Sequence, residues 1–184
     1  MADSKPNILI TGIAGFIGFH LANKLADSGF NIYGVDNLND YYNVQLKKDR
    51  LKALGITSTL SPSSWVKSED KDIQVLKADL SERSDANNVF ANNIYNAVIH
   101  LAAQPGVRKS ITHPEIYFQA NLTATFNLLE HVKQKPNTVL IMASSSSVYG
   151  HSQNTPYSED HKTDEPVSLY AATKKSTEVL AHYY

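Results

Sequence analysis

Apolar residues recur along the chain in two rhythms. Short runs that suit strands buried on both faces occupy Asn7 to Thr11, Asn31 to Asp36, Ile73 to Leu76, Ala97 to Leu101 and Val139 to Ala143. Between them stand longer stretches of helical period. Ile17, Leu21 and Leu25 recur every four residues and Gly29 follows as a left-handed cap; a second helix is predicted from Val44 to Leu54, with Lys47, Lys48 and Arg50 on its solvated side and Gly55 as its stop. Ser81 opens a third helix reaching Asn92, Pro114 a fourth reaching Gln134, and Ser168 a last one ending at Tyr184. Strands alternating with helices predict a doubly wound parallel sheet of the α/β class, in the order 3-2-1-4-5. Two polar stretches, Thr57 to Asp72 around the single Trp65 and His151 to Pro166, read as exposed loops.

Composition narrows the class. With 184 residues and 42% hydrophobic content, residues 1–184 form one domain with a real core. Seventeen Lys and Arg balance 18 Asp and Glu, so no broad field selects nucleic acid or an anionic membrane, and any anion site must be local. The absence of cysteine excludes disulfides and thiolate metal sites. The seven histidines lack ligand spacing, so no metal is expected, and His100, ending a strand, reads as a packed, hydrogen-bonded residue. Neither a signal segment nor a run of about 20 apolar residues is present, and the expected location is cytoplasmic.

Three constellations carry chemistry. Gly12, Gly15 and Gly18 lie three apart where the first strand gives way to the first helix, a spacing that allows a sharp turn, a close backbone approach to a pyrophosphate, and tight helix packing. Asp36 ends the next strand, where a carboxylate accepts hydrogen bonds from an adenosine ribose. A glycine triplet alone would be an ordinary βα turn; with Asp36 it reads as a dinucleotide site. Tyr170 and Lys174 stand four apart on one face of the last helix. A tyrosine ionises near pH 10, so its use as a base near neutrality requires roughly 4 kcal/mol of phenolate stabilisation, which a neighbouring ammonium together with an oxidised nicotinamide can supply. The third constellation is the serine run Ser144 to Ser147 after the fifth strand, at the carboxyl edge where parallel sheets place ligands.

Together these motifs, with Asp79-Leu80, His100-Leu-Ala-Ala103, Val148-Tyr149-Gly150 and Tyr170-Ala-Ala-Thr-Lys174, resemble the extended short-chain dehydrogenase/reductases that act on nucleotide sugars, a Rossmann-like family. Within it, Asp36-Asn-Leu-Asn-Asp-Tyr-Tyr42, Leu46-Lys-Lys-Asp-Arg-Leu51, Ala102-Ala-Gln-Pro-Gly-Val-Arg108 and Pro166-Val-Ser-Leu-Tyr170 are most similar to UDP-glucuronate 4-epimerases. The resemblance implies NAD as cofactor. Gly12, Gly15 and Gly18 would approach its pyrophosphate, Asp36 its adenosine ribose, and Asp79 with Leu80 its adenine, while Ala102 and Ala103 line the channel and Phe16, Ile17, Asn37 and Leu101 complete the cofactor-binding set. Tyr170 is implied as base, Lys174 as its partner and nicotinamide-ribose ligand, and Ser145 as the assisting hydroxyl, with Ser146, Ser147 and Arg108 near the sugar.

The implied reaction is oxidation of the sugar C4 hydroxyl to a ketone, rotation of the ketone, and return of hydride to its other face. Related dehydratases carry an Asp-Glu pair, and related decarboxylases a Glu, where this chain has Ser146 and Ser147, which favours epimerisation. UDP-glucuronate is the expected substrate and UDP-galactose the nearest rival. A reductase that releases its cofactor, and an NAD-binding scaffold without turnover, are the alternatives. Family members continue well beyond the catalytic helix, so the substrate lobe is expected to be absent here and turnover by these residues alone weak. The last strand would then expose an edge that invites pairing with a second copy.

Overall fold

The computed structural model describes residues 5–91 and 93–184. Its elements are β1 (Asn7–Thr11), α1 (Phe16–Asp27), β2 (Asn31–Asp36), α2 (Val44–Ala53), β3 (Val66–Lys67), β4 (Ile73–Lys77), α3 (Arg83–Ala91), β5 (Ala97–His100), α4 (Val107–Thr112), α5 (Pro114–Tyr117), a π-helical turn (Phe118–Thr123), α6 (Ala124–Val132), β6 (Val139–Met142), a 3-10 turn (Ser146–Tyr149) and α7 (Leu169–Tyr183). The predicted end of the third helix at Asn92 lies outside the described residues.

The sheet runs β3-β4-β2-β1-β5-β6 and is parallel apart from β3. Its five parallel strands stand in the predicted order. Side chains alternate between two cores: Leu9, Val35, Leu76 and Val98 face α3 and α6, whereas Ile8, Ile10, Ile32 and Val75 face α1 and α2. Burial on both faces is why these strands read as unbroken apolar runs.

Four expectations are corrected. The stretch from Thr57 to Asp72 is not all loop: Val66 and Lys67 pair antiparallel with β4, and Trp65 packs edge-on to Tyr33 with ring centroids 5.4 Å apart. Ile17 leaves the core face of α1 and is 63% exposed, because Gly18 and Ala22 form the face that meets the sheet. Lys47 is not on a solvated face; its side chain is only 6% exposed. The helix opened by Pro114 is preceded by α4, loosens into a π turn between Phe118 and Thr123, and ends at Val132. Other termini follow the predicted chemistry. Gly29 and Gly55 adopt positive φ after α1 and α2, and the Ser168 hydroxyl accepts from the Ala171 amide at 3.0 Å to cap α7.

β6 forms one border of the sheet, where Val139 and Ile141 are 59% and 52% exposed. No helix among the described residues is long and apolar enough to cross a membrane.

Candidate active site

The carboxyl ends of β1, β2, β4 and β5 and the start of α7 surround a cleft of about 430 Å³. Its floor is the glycine turn. Gly12 takes φ +74°, donates its amide to the Val35 carbonyl at 2.8 Å, and lies so close to Ala102 that a side chain would press on that backbone. Gly18 packs on Gly12 with no room for a methyl group. The amides of Gly12, Ile13, Ala14 and Gly15 are satisfied within the protein, whereas those of Phe16, Ile17 and Gly18, at the start of α1, have no acceptor among the described residues. Three free donors at the positive end of a 12-residue helix form an anion cradle.

Asp36 stands beside this turn. Its Oδ2 accepts from the Ala14 amide at 3.1 Å and its Oδ1 from the Leu38 amide at 2.8 Å, while the Lys47 ammonium lies 3.5 Å from Oδ1. Leu38 is held at φ +56°, left-handed backbone that a leucine rarely adopts. Asn37 then bridges to the next strand, donating to Asp79 Oδ2 at 2.9 Å, and the Ser81 amide and hydroxyl donate to Asp79 Oδ1 at 3.0 and 2.7 Å. Burial raises the Asp79 pKa, but the bonds from Asn37 and Ser81 outweigh it, so its carboxyl stays below the ordinary value and ionised.

A buried relay fixes the segment after β5. Thr11 Oγ1 accepts from the amides of Leu101 and Ala102 at 3.1 and 3.0 Å, so its own hydrogen is directed to His100 Nδ1, 2.8 Å away. His100 therefore carries its proton on Nε2 and donates it to Thr125 Oγ1 at 3.1 Å. Burial, reinforced by the Lys174 charge, drives the His100 pKa down to about 3, so the relay is neutral near pH 7. Next along the chain, Gln104 is clamped by Asn121 from the π turn: the Gln104 amide donates to Asn121 Oδ1 at 2.7 Å, and Asn121 Nδ2 donates to the Gln104 carbonyl and to Thr173 Oγ1.

Thr173 stands beside Lys174 in α7. The Tyr170 amide, an orphan donor of the first helical turn, reaches the Ser110 hydroxyl at 3.2 Å, which ties α7 to α4. Lys174 is buried, its pKa is lowered chiefly by burial, and its ammonium makes no hydrogen bond among the described residues. A buried cation without a partner at the wall of a cleft is a binding group.

Of the residues expected from the sequence, Gly12, Gly15, Phe16, Ile17, Gly18, Asp36, Asn37, Asp79, Leu80, Leu101, Ala102, Ala103, Tyr170 and Lys174 all line this one cleft. Ser145, Ser146, Ser147 and Arg108 do not. Ser145 instead caps the 3-10 turn, accepting from the Ser147 amide at 3.2 Å; Ser146 and Arg108 are exposed. Ser144 is the serine on the cleft wall, and it donates to Glu178 at 2.5 Å. Sequence reasoning missed Lys47, Asn121 and Ser110. The signal for Lys47 was its place on one helical face with Leu51 and Leu54, both buried. For Asn121 and Ser110, whose partners lie far along the chain, no local signal existed.

Comparison with known proteins agrees with this architecture. Residues 9–184 match the GDP-mannose 4,6 dehydratase family. Protein CapI of Staphylococcus aureus is 45% identical over 177 residues, 96% of this chain and 49% of the relative, and a probable UDP-glucuronate 4-epimerase of Rhizobium meliloti is 40% identical over 176 residues, 96% and 48%. Among solved structures, a UDP-glucuronic acid 4-epimerase variant from Bacillus cereus, in complex with UDP-4-deoxy-4-fluoro-glucuronic acid and NAD, superposes with a TM-score of 0.80 at 32% identity, covering 97% of this chain and 52% of that one. The chain spans about half the length of these two relatives. With the glycine turn, the Asp36 carboxylate and the Tyr-Lys helix gathered at one sheet edge, it belongs to the GDP-mannose 4,6 dehydratase family, among the extended short-chain dehydrogenase/reductases.

Proposed function

We propose that the protein catalyses NAD-dependent 4-epimerisation of a UDP-linked sugar, with UDP-glucuronate as substrate. The observation that carries this reading is that Tyr170 and Lys174 open onto the same cleft as the unpaired amides of Phe16, Ile17 and Gly18 and the carboxylate of Asp36. These groups fit a dinucleotide. The amides suit a pyrophosphate, Asp36 accepts from a ribose diol at one end, and the buried, unpartnered Lys174 offers its donors to a second ribose at the other. Bound there, NAD supplies a reversible acceptor for the C4 hydride.

The protein's part is proton transfer and positioning. Tyr170, as phenolate, takes the C4-hydroxyl proton as the sugar becomes a 4-ketone, and gives it back when the alcohol re-forms with the opposite configuration. Lys174 holds the nearby ribose. Ser145, three residues before Val148, is proposed to bond the reacting oxygen when substrate organises the serine run, and Ser146, Ser147 and Arg108 to contact the sugar nucleotide. The family's name includes a dehydratase, but no carboxyl group occurs between Ala143 and Gly150 to act as an eliminating acid. Because the cofactor ends each cycle as it began, purified protein should retain NAD, whereas a reductase that releases its cofactor would leave the cleft empty.

The test is an assay of the full-length protein with UDP-glucuronate and UDP-galactose side by side. The expected result is interconversion of UDP-glucuronate and UDP-galacturonate without added cofactor. A preference for UDP-galactose would overturn the substrate, and retained NAD without turnover of either sugar would favour the scaffold reading.

A further inference from the structure

Within the proposed NAD site, Lys47 is a group with capacity to spare. Helix α2 inserts it into the adenosine-ribose end of the cleft, where its side chain and that of Asp36 are each only 6% exposed. The ammonium makes one short bond, to Asn39 Oδ1 at 2.8 Å. Its distance to Asp36 Oδ1 is longer, 3.5 Å, and it lies 5.1 Å from the centre of the Tyr42 ring. Arg50, one turn on, is committed elsewhere: it donates to the Ala14 carbonyl at 3.2 Å and to the Tyr42 hydroxyl at 3.0 Å. Asp36 itself is held in place, since the Ala14 amide donates to one of its oxygens and the Leu38 amide to the other.

These contacts bear on which dinucleotide the cleft admits. An ionised carboxylate only accepts hydrogen bonds, which suits the two hydroxyls of a free ribose diol. A 2′-phosphate brings a charge of about −1.5 to −2 and no donor, so beside Asp36 it meets repulsion. Without the Asp36 charge, the balance at this end reverses, because Lys47 remains as a buried cation with a donor to give. We propose that Lys47 is a second determinant of nucleotide choice: paired with Asp36 it helps hold the carboxylate that selects a ribose diol, and with Asp36 neutral it accepts a 2′-phosphate. This rests on the NAD reading of the cleft and extends it to a residue outside the glycine turn.

The experiment measures binding, not turnover. Full-length protein is freed of endogenous nucleotide and titrated with NADH and NADPH, following nicotinamide fluorescence, in the wild type, Asp36→Asn, Lys47→Met and the double variant. Wild type should bind NADH and discriminate strongly against NADPH. Asp36→Asn should weaken NADH and tighten NADPH about tenfold or more, and adding Lys47→Met should reverse that gain, again about tenfold or more, the size expected for one hydrogen bond to a charged group. Lys47→Met alone should not improve NADPH. The gain in Asp36→Asn should also fade with added salt more steeply than any residual binding in the double variant. Equal NADPH affinity in Asp36→Asn and the double variant, or no gain in Asp36→Asn while it melts cooperatively and still binds NADH, would overturn the proposal. Should Asp36→Asn not fold, Asp36→Ser removes the same charge and carries the same series. Wild type that binds neither nucleotide would sink the NAD reading itself, an outcome distinct from these.

Discussion

Replacing His100 by asparagine should flatten the response of stability to acid between pH 6.5 and 5, at the cost of lower stability at pH 8. In the folded protein the imidazole is enclosed, bonded to Thr11 and Thr125, and its pKa is pushed down to about 3 by burial first and by the Lys174 charge second. In the unfolded chain it titrates near 6.5. Below that value the unfolded state binds a proton that the native state refuses. The stabilisation is therefore complete above pH 6.5 and is lost as pH falls toward about 3, at up to about 1.4 kcal/mol per unit. Between pH 6.5 and 5 the loss is roughly 2 kcal/mol. Asparagine can still accept from Thr11 but is too short to reach Thr125, so the variant should be less stable by about 1–3 kcal/mol at pH 8, with that gap narrowing as pH falls. Urea unfolding of the full-length protein at pH 8, 6.5 and 5 measures both quantities. His131 is also shifted down, by burial and then Arg83, and titrates in the same direction, so the informative quantity is the difference between wild type and variant. A gap that stays constant across this range would mean that His100 carries a proton in the native protein, and the neutral relay would be wrong.

Two further outcomes test the site. Tyr170→Phe in the full-length protein should lower kcat of the proposed reaction by about 10²–10⁴ while NAD remains bound, read from turnover and from the nucleotide released on denaturation; loss of nucleotide together with activity would refute the assignment of Tyr170 as base. Gly18→Ala drives a methyl group into the Gly12 carbonyl, so NAD should be lost and the protein destabilised by about 1–3 kcal/mol, whereas Gly29→Ala, at φ +90° in open space, should retain NAD. Equal NAD content in the two variants would show that the tight helix-turn approach is not what shapes the anion cradle.

The parallel strands were legible because burial on both faces leaves a plain apolar signature, and the Tyr170 and Lys174 pair because four residues span one helical turn. Errors arose where long-range packing overrode local pattern. The four-residue recurrence of Ile17, Leu21 and Leu25 holds for Leu21 and Leu25, which pack against the core, and fails at Ile17, because at that end α1 meets the turn through Gly18. Lys47 was hidden among charged neighbours; the carboxylate that explains its burial is on another element. Strand β3 has two residues, too few for any alternation to show. Nothing near Phe118 announces a π turn, whose Asn121 is engaged by Gln104 and Thr173.

Those same long-range bonds explain how a cleft assembled from distant segments can hold a defined geometry. Its walls are loops and helix ends, the parts of a fold most free to drift. Here Thr11 ties β1 to the backbone after β5, Asn121 ties that backbone to α7 beside Lys174, and Ser110 ties α4 to the Tyr170 amide. Each of these side chains is buried, so breaking its bond strands a polar group away from water, at about 1–3 kcal/mol. Displacing Tyr170 relative to Gly12 would break several at once. The distance between the proposed base and the anion cradle is thus held by polar side chains, Thr11, Ser110 and Asn121, that do not themselves line the cleft.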